Sequence, residues 1–201
     1  MQDRPFVVAY SHADWDHVWG TAGLAPGAPI VAQATCLARF ANDVPATLQQ
    51  MRKDQPERWD DVVLLPPFIV FDESMTVDLG GVTVELVHLP GHTPDCIVAF
   101  LPEWGILLAG DTVETPFPVV NDGAALPGWI AHLERWASDE RVATVIPAHG
   151  KIAGRELIRH NVDYLTSLLK DTAPPKMAGL SPFYDTTHQA NRACVGEWRD
   201  R

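Results

Sequence analysis

"SHADWDHVWG", residues Ser11 to Gly20, places two histidines and two aspartates within six positions, His12, Asp14, Asp16 and His17. In an extended segment alternate side chains share a face, so His12 and Asp14 can reach one ion together. Asp16 and His17 are adjacent and must point differently. That geometry suits two neighbouring metals, with the first pair serving one ion and the second pair the other. Crowding acidic and imidazole groups this closely is costly unless something compensates it. A metal does so.

Three further candidates lie downstream: His92 in "LPGHTPD", Asp111 in "LLAGDTVE" and His149 in "IPAHG". Each follows an apolar run, where loops leave a rigid scaffold and carry function. Taken singly, each has an ordinary reading as a hydrogen-bonded loop residue. Together, four histidines and three aspartates can give each of two ions nitrogen and oxygen ligands and leave room for water.

The runs between these sites indicate the scaffold. "FVVAY" (6–10) reads as a buried strand leading into the opening cluster, and "APIVAQ" (28–33) as a second. Thr35 is positioned to cap a helix through Ala41, and residues 46–57 read as an exposed helix ended near Pro56. "VVLLPP" and "IVFD" read as short strands or edges. "MTVDLGGVTVELVHL" is a hairpin turning at Gly80-Gly81, and "CIVAFL" with "GILLAGD" forms another pair. Trp129, Ile130, Leu133 and Trp136 recur at helical spacing. "VATVIPAHG" is a strand running into a loop. Leu157, Ile158, Val162, Leu165, Leu168 and Leu169 make one stripe of a last helix, about 155–169. The tail, 172–201, reads as irregular. Strand pairs interleaved with helices predict β-sheets covered by helices.

The chain has 201 residues, which fits one domain. Lys and Arg total 15 against 26 for Asp and Glu, a formal charge of −11 that disfavours nucleic acid and anionic lipid as partners. No apolar run reaches membrane-spanning length, and the N-terminus lacks the pattern of a signal peptide. Cys36, Cys96 and Cys194 are odd in number and form no CxxC, which argues against a disulfide framework and for a reducing, cytoplasmic setting. No GxSxG or P-loop pattern competes with the metal reading.

With these motifs in place, the sequence resembles the metallo-β-lactamase superfamily of metal-dependent hydrolases. The family's opening motif, His-x-His-x-Asp-His, is matched by residues 12–17 except that Asp14 replaces the second histidine. The later ligands correspond to His92, Asp111 and His149 in the right order. The resemblance implies an α+β fold, an αββα sandwich, that lacks the family's usual N-terminal strands. Open sheet edges would then invite a homodimer. It also implies that His12, Asp14 and His92 hold one metal, that Asp16, His17 and His149 hold the other, and that Asp111 bridges them.

The implied activity is hydrolysis of a small-molecule ester, lactone, thioester or phosphoester by a hydroxide held at two divalent ions, with Asp16 orienting it. Zinc is the first expectation for both ions; iron and manganese are alternatives, because Asp14 adds a hard oxygen ligand and a negative charge. Flavodiiron proteins share the fold and carry a glutamate at this position. A diiron oxidoreductase with an external electron donor is therefore a second reading, and an inactive fragment a third. Trp15, Trp19, Phe117 and Tyr184 are candidates for an apolar rim, and Lys151 for pairing with an anionic substrate. His88, His132, His160 and His188 are read as structural.

Overall fold

The computed structural model describes residues 6–24, 27–121, 124–175 and 180–199. The N-terminal five residues, part of the stretch read for a signal peptide, lie outside these, as do 176–179 in the tail. The chain divides into two compact units, Met1–Ser74 and Met75–Arg201.

The first unit carries a three-stranded parallel sheet in the order β1 (Val8–Ala9), β2 (Ile30–Gln33), β3 (Ile69–Phe71). Central β2 is buried at all four residues, as a parallel strand with a neighbour on each side should be. Helix α1 (Trp15–Val18) follows the opening cluster. Helices α2 (Ala34–Ala41) and α3 (Asp43–Asp54) contribute Cys36, Phe40, Val44 and Leu48 to a core with Tyr10, Val18, Trp19, Ile30 and Ala32.

Three local expectations are corrected here. Gln33, rather than Thr35, caps α2, its side chain accepting from Thr35 N–H. Helix α3 starts at Asp43, three residues before the expected point, because Pro45 sits in the first turn, where its missing N–H removes no helical bond. Residues 62–67 form no strand. Pro66 and Pro67 cannot donate to a ladder, and the segment is held from the side instead: Tyr10 Oη donates to Leu65 O (2.9 Å) and Arg52 to Val62 O (3.0 Å).

The second unit is built on a five-stranded sheet, β4 (Ser74–Asp78), β5 (Thr83–His88), β6 (Ile97–Leu101), β7 (Ile106–Gly110), β8 (Thr144–Pro147), in that order. The β5–β6 and β6–β7 pairs are antiparallel; β8 is parallel to β7 and is reached through helix α4 (Leu126–Ser138). Val98 and Phe100 of β6 with Leu107 and Ala109 of β7 alternate onto one face. They form a core with Trp129 and Leu133 of α4 and Leu157, Ile158, Leu165 and Leu168 of α5 (Glu156–Lys170). Each such fully buried aliphatic contributes roughly 1.5–3 kcal/mol.

The tail expected to be irregular contains a final helix, α6 (Pro182–Arg199). Its inward positions, Thr187, Asn191 and Val195, recur every four residues but only one is aliphatic, so hydrophobic periodicity does not reveal it. Pro182 is the first helical residue, which makes it a start signal and not a break.

Candidate metal centre

In the first unit the chain leaves β1 extended through Asp14, whose carbonyl then accepts from the N–H groups of His17 (3.0 Å) and Val18 (3.2 Å) to open α1. The switch from extended to helical backbone sorts the four side chains into pairs. His12 Nε2 lies 3.5 Å from Asp14 Oδ2, and His17 Nε2 lies 3.6 Å from Asp16 Oδ2. Ser11 Oγ sits between the two imidazoles, 3.2 Å from His12 Nδ1 and 3.1 Å from His17 Nδ1. With both Nδ1 atoms engaged there, both Nε2 atoms are left toward the carboxylates. Arg39 of α2 donates to Asp14 Oδ1 (2.8 Å) and to Asp43 Oδ2 (2.9 Å), fixing the Asp14 carboxylate by its other oxygen.

In the second unit Asp111 follows β7 through Gly110, beside an irregularity in the β7–β8 register. Its Oδ2 lies between two imidazoles, 3.7 Å from His92 Nε2 and 3.5 Å from His149 Nε2. Buried Glu114 lies near His92 and Asp111, with ligand atoms of all three within 4.8 Å of one another. The His92 ring is oriented by Nδ1–H donation to Val119 O (3.0 Å), and Asn121 donates to the His92 carbonyl (3.1 Å). Trp129 holds both ligand loops at once. Its Nε1–H donates to Thr112 O (3.1 Å), and its ring leaves no room for a Cβ at Gly91, which would meet it at 2.6 Å. Gly150 (φ 108°), after His149, packs equally closely on Thr115.

These four histidine–carboxylate separations, 3.5 to 3.7 Å, exceed an ordinary N–H···O bond. They approach the roughly 3.4 Å expected between two donors on one tetrahedral ion with bonds of about 2.0–2.2 Å. The donor set, imidazole with carboxylate, suits zinc, iron or manganese. The pairs present therefore have the spacing and the chemistry of metal ligands, and His92, Asp111 and Glu114 form a group of three within the second unit.

Sequence reasoning missed Ser11, Arg39, Glu114 and Asn121. Ser11 adjoins His12 and carried a local signal; Arg39, 25 residues beyond Asp14 in the chain, carried none. Of the rim candidates, Trp15 is exposed, Trp19 is buried, and Phe117 is a core residue stacked on Tyr164 at 4.3 Å. Burial and the carboxylates of Glu114 and Asp111 push the Tyr184 phenol up. Lys151 is exposed. A cavity of about 160 Å³ in the first unit is lined by Asp14, Trp15, Trp19, Arg39, Val44 and Thr47, among others. Cys96 is buried, its thiol pushed above the ordinary range by desolvation.

The sequence model described as the Metallo-beta-lactamase superfamily matches residues 2–149. The type 2 metallo-beta-lactamase of Bacteroides fragilis is 32% identical over 111 residues, 52% of this chain and 44% of that protein. A linear primary-alkylsulfatase of a Pseudomonas species is 26% identical over 132 residues, 59% of this chain and 24% of that one. The chain thus spans less than half the length of these curated relatives. Among solved structures, a metallo-beta-lactamase from Pontibacter korlensis superposes with a TM-score of 0.62 at 21% identity, covering 82% of this chain and 71% of that one. An archaeal metallo-beta-lactamase superfamily protein from Sulfolobus tokodaii gives 0.64 at 15% identity, covering 97% and 81%. Likeness at these identities shows a shared fold.

Proposed function

This chain belongs to the metallo-β-lactamase superfamily, and on that premise we propose that it is a hydrolase with a two-metal centre acting on a small ester, lactone, thioester or phosphoester. Its α+β fold is that of the family. The observation that carries the reading is the set of four histidine–carboxylate pairs at ligand spacing, two in each unit. In this reading His12, Asp14, Asp16 and His17 join His92, Asp111 and His149 as the ligands of one centre, in the family's order along the chain.

Divalent ions bound there would supply Lewis acidity and an activated water at neutral pH. The chain's residues do the rest. Ser11 presents two imidazoles by their Nε2 atoms, and Asp111, beside His92 and His149, would join them in holding the ions. Asp16 accepts a proton from, and orients, the attacking water. Arg39 offsets the charge that Asp14 adds where the family has a neutral histidine. The cavity beside Asp14 suits a small apolar substituent of the substrate, with Trp15 as its exposed wall.

Elemental analysis of the folded protein beside Asp14→Ala tests this. Two metals falling to one supports the binuclear reading, with zinc favouring hydrolysis and iron the redox alternative. One metal or none in both removes it. A substrate panel of the four ester classes, with a β-lactam and an alkyl sulfate added because of the two curated relatives, then assigns the chemistry.

A further inference from the structure

We infer that Asn191, on the C-terminal helix α6, is a positioning residue for His92, acting through the carbonyl of Val119. The inference rests on the reading of His92 as a metal ligand. It concerns a helix beyond the residues that the family model matches, 2–149.

The segment from Glu114 to Val120 is held at each end by a buried asparagine. At the start, Asn161 of α5 accepts from Glu114 N–H (3.0 Å) and donates to Glu114 O (2.9 Å). At the end, Asn191 accepts from Val120 N–H (2.9 Å) and donates to Pro118 O (2.9 Å). Each amide offers the donor and acceptor that a neighbouring strand would supply. Asn161 and Asn191 are 0% and 1% exposed, so water cannot replace them. Asn191 is itself fixed, because its Nδ2 also donates to Tyr164 Oη (3.0 Å), which bonds His188 Nδ1 (3.1 Å).

The consequence follows from peptide planarity. Val120 N–H and Val119 C=O belong to one peptide unit and point in opposite directions across it. Anchoring that N–H on Asn191 Oδ1 aims the Val119 carbonyl the other way, where His92 Nδ1 donates to it at 3.0 Å. That bond keeps the proton on Nδ1 and presents Nε2 toward Asp111 Oδ2, 3.7 Å away. A backbone carbonyl in this role sets the tautomer and angle of a ligating histidine. Pro116 and Pro118 have no N–H to donate. Besides the asparagines the segment is held by Thr115 N–H to His149 O (3.3 Å), Thr115 Oγ1 to Lys151 O (3.2 Å) and Val119 N–H to Glu114 Oε1 (3.4 Å), none of which fixes the Val120 N–H.

Two readouts on the full chain test this. Long-range ¹H–¹⁵N spectra of the metal-free protein report the His92 tautomer, and zinc titration against a competing chelator reports affinity. Wild type should show Nδ1–H at His92. Asn191→Leu, which removes the acceptor of Val120 N–H, should show a tautomer mixture and zinc binding weaker by roughly 10- to 100-fold, while Asn191→Asp, which keeps that acceptor and replaces the donors, should retain Nδ1–H at His92. Val195→Ala, one turn further along the same buried face, should lower stability and leave both readouts unchanged. Wild-type tautomer and affinity in Asn191→Leu would overturn the inference, as would equal loss in Asn191→Asp or in Val195→Ala. Failure of wild type to bind zinc would instead remove the functional reading, and the tautomer spectra would still decide the role of Asn191.

Discussion

Replacing Trp129 by phenylalanine should weaken the fold and the metal site together. Trp129 is fully buried, and its indole N–H is the donor to Thr112 O, itself in a fully buried residue. Losing that donor strands a buried carbonyl, at about 1–3 kcal/mol. The smaller ring also leaves a void of about 40 Å³, worth about 1 kcal/mol at roughly 24 cal/mol per Å³. The sum, about 2–4 kcal/mol, corresponds to a fall in Tm of roughly 4–16 °C for a chain of this size. Because the ring also backs Gly91, beside His92, and Thr112, beside Asp111, zinc affinity should fall in step. Thermal melts with and without zinc measure both. A loss under 0.5 kcal/mol, or full zinc affinity in a clearly destabilised variant, would refute the view that Trp129 holds the two ligand loops.

Arg39→Met keeps the apolar stem and removes the bond to Asp14. It should cost about 1–2 kcal/mol, between exposed and buried ion pairs, and a double-mutant cycle with Asp14→Asn showing no coupling would dismiss the pair. Among the cysteines, half-buried Cys194 should react first with a thiol reagent, while buried Cys36 and Cys96 react only on unfolding; rapid labelling of Cys96 in folded protein would contradict its placement. Burial, then Arg192, hold the His188 imidazole below its ordinary range, partly countered by Asp185. The unfolded chain therefore binds the proton more readily, so this contribution to stability is present above pH 6.5 and is lost as pH falls below it. His188→Gln should flatten that part of the Tm profile, and parallel profiles for the two proteins would argue otherwise.

Where a signal was local and periodic, the sequence carried it. The alternation through Gly80-Gly81, the apolar stripe of α5 and the crowding at residues 12–17 each reflect a cost or gain set by near neighbours in the chain. Sheets covered by helices followed from the strand and helix patterns, and the α+β class from the family resemblance. Features decided by distant partners were not legible. Helix α6 buries Thr187, whose hydroxyl donates back to Phe183 O one turn earlier, and Asn191, whose polarity is satisfied by groups on other elements. Leu64 and Leu65 look like strand residues, yet they serve the core from an irregular segment because the prolines after them cannot join a sheet. Phe117 resembled a rim residue because it follows a ligand loop, but its stacking on Tyr164 depends on α5, some 45 residues on. Within the site the residue types and their order were visible early. The guanidinium and amide that orient them were not, since nothing in a lone Arg39 or Asn121 distinguishes it from a surface residue; Ser11, next to His12, carried the one local signal.

The close approach of Gly91 to Trp129 also sets how freely this sequence can drift. In a saturation library read by survival after heat challenge, position 91 should return almost only glycine, since even alanine places a Cβ inside the indole. Gly128, one residue from the same tryptophan, has open space around it and an exposed helical position, so alanine there should be enriched by its higher helix propensity. One ring thus makes the glycine beneath it irreplaceable and leaves the glycine beside it dispensable.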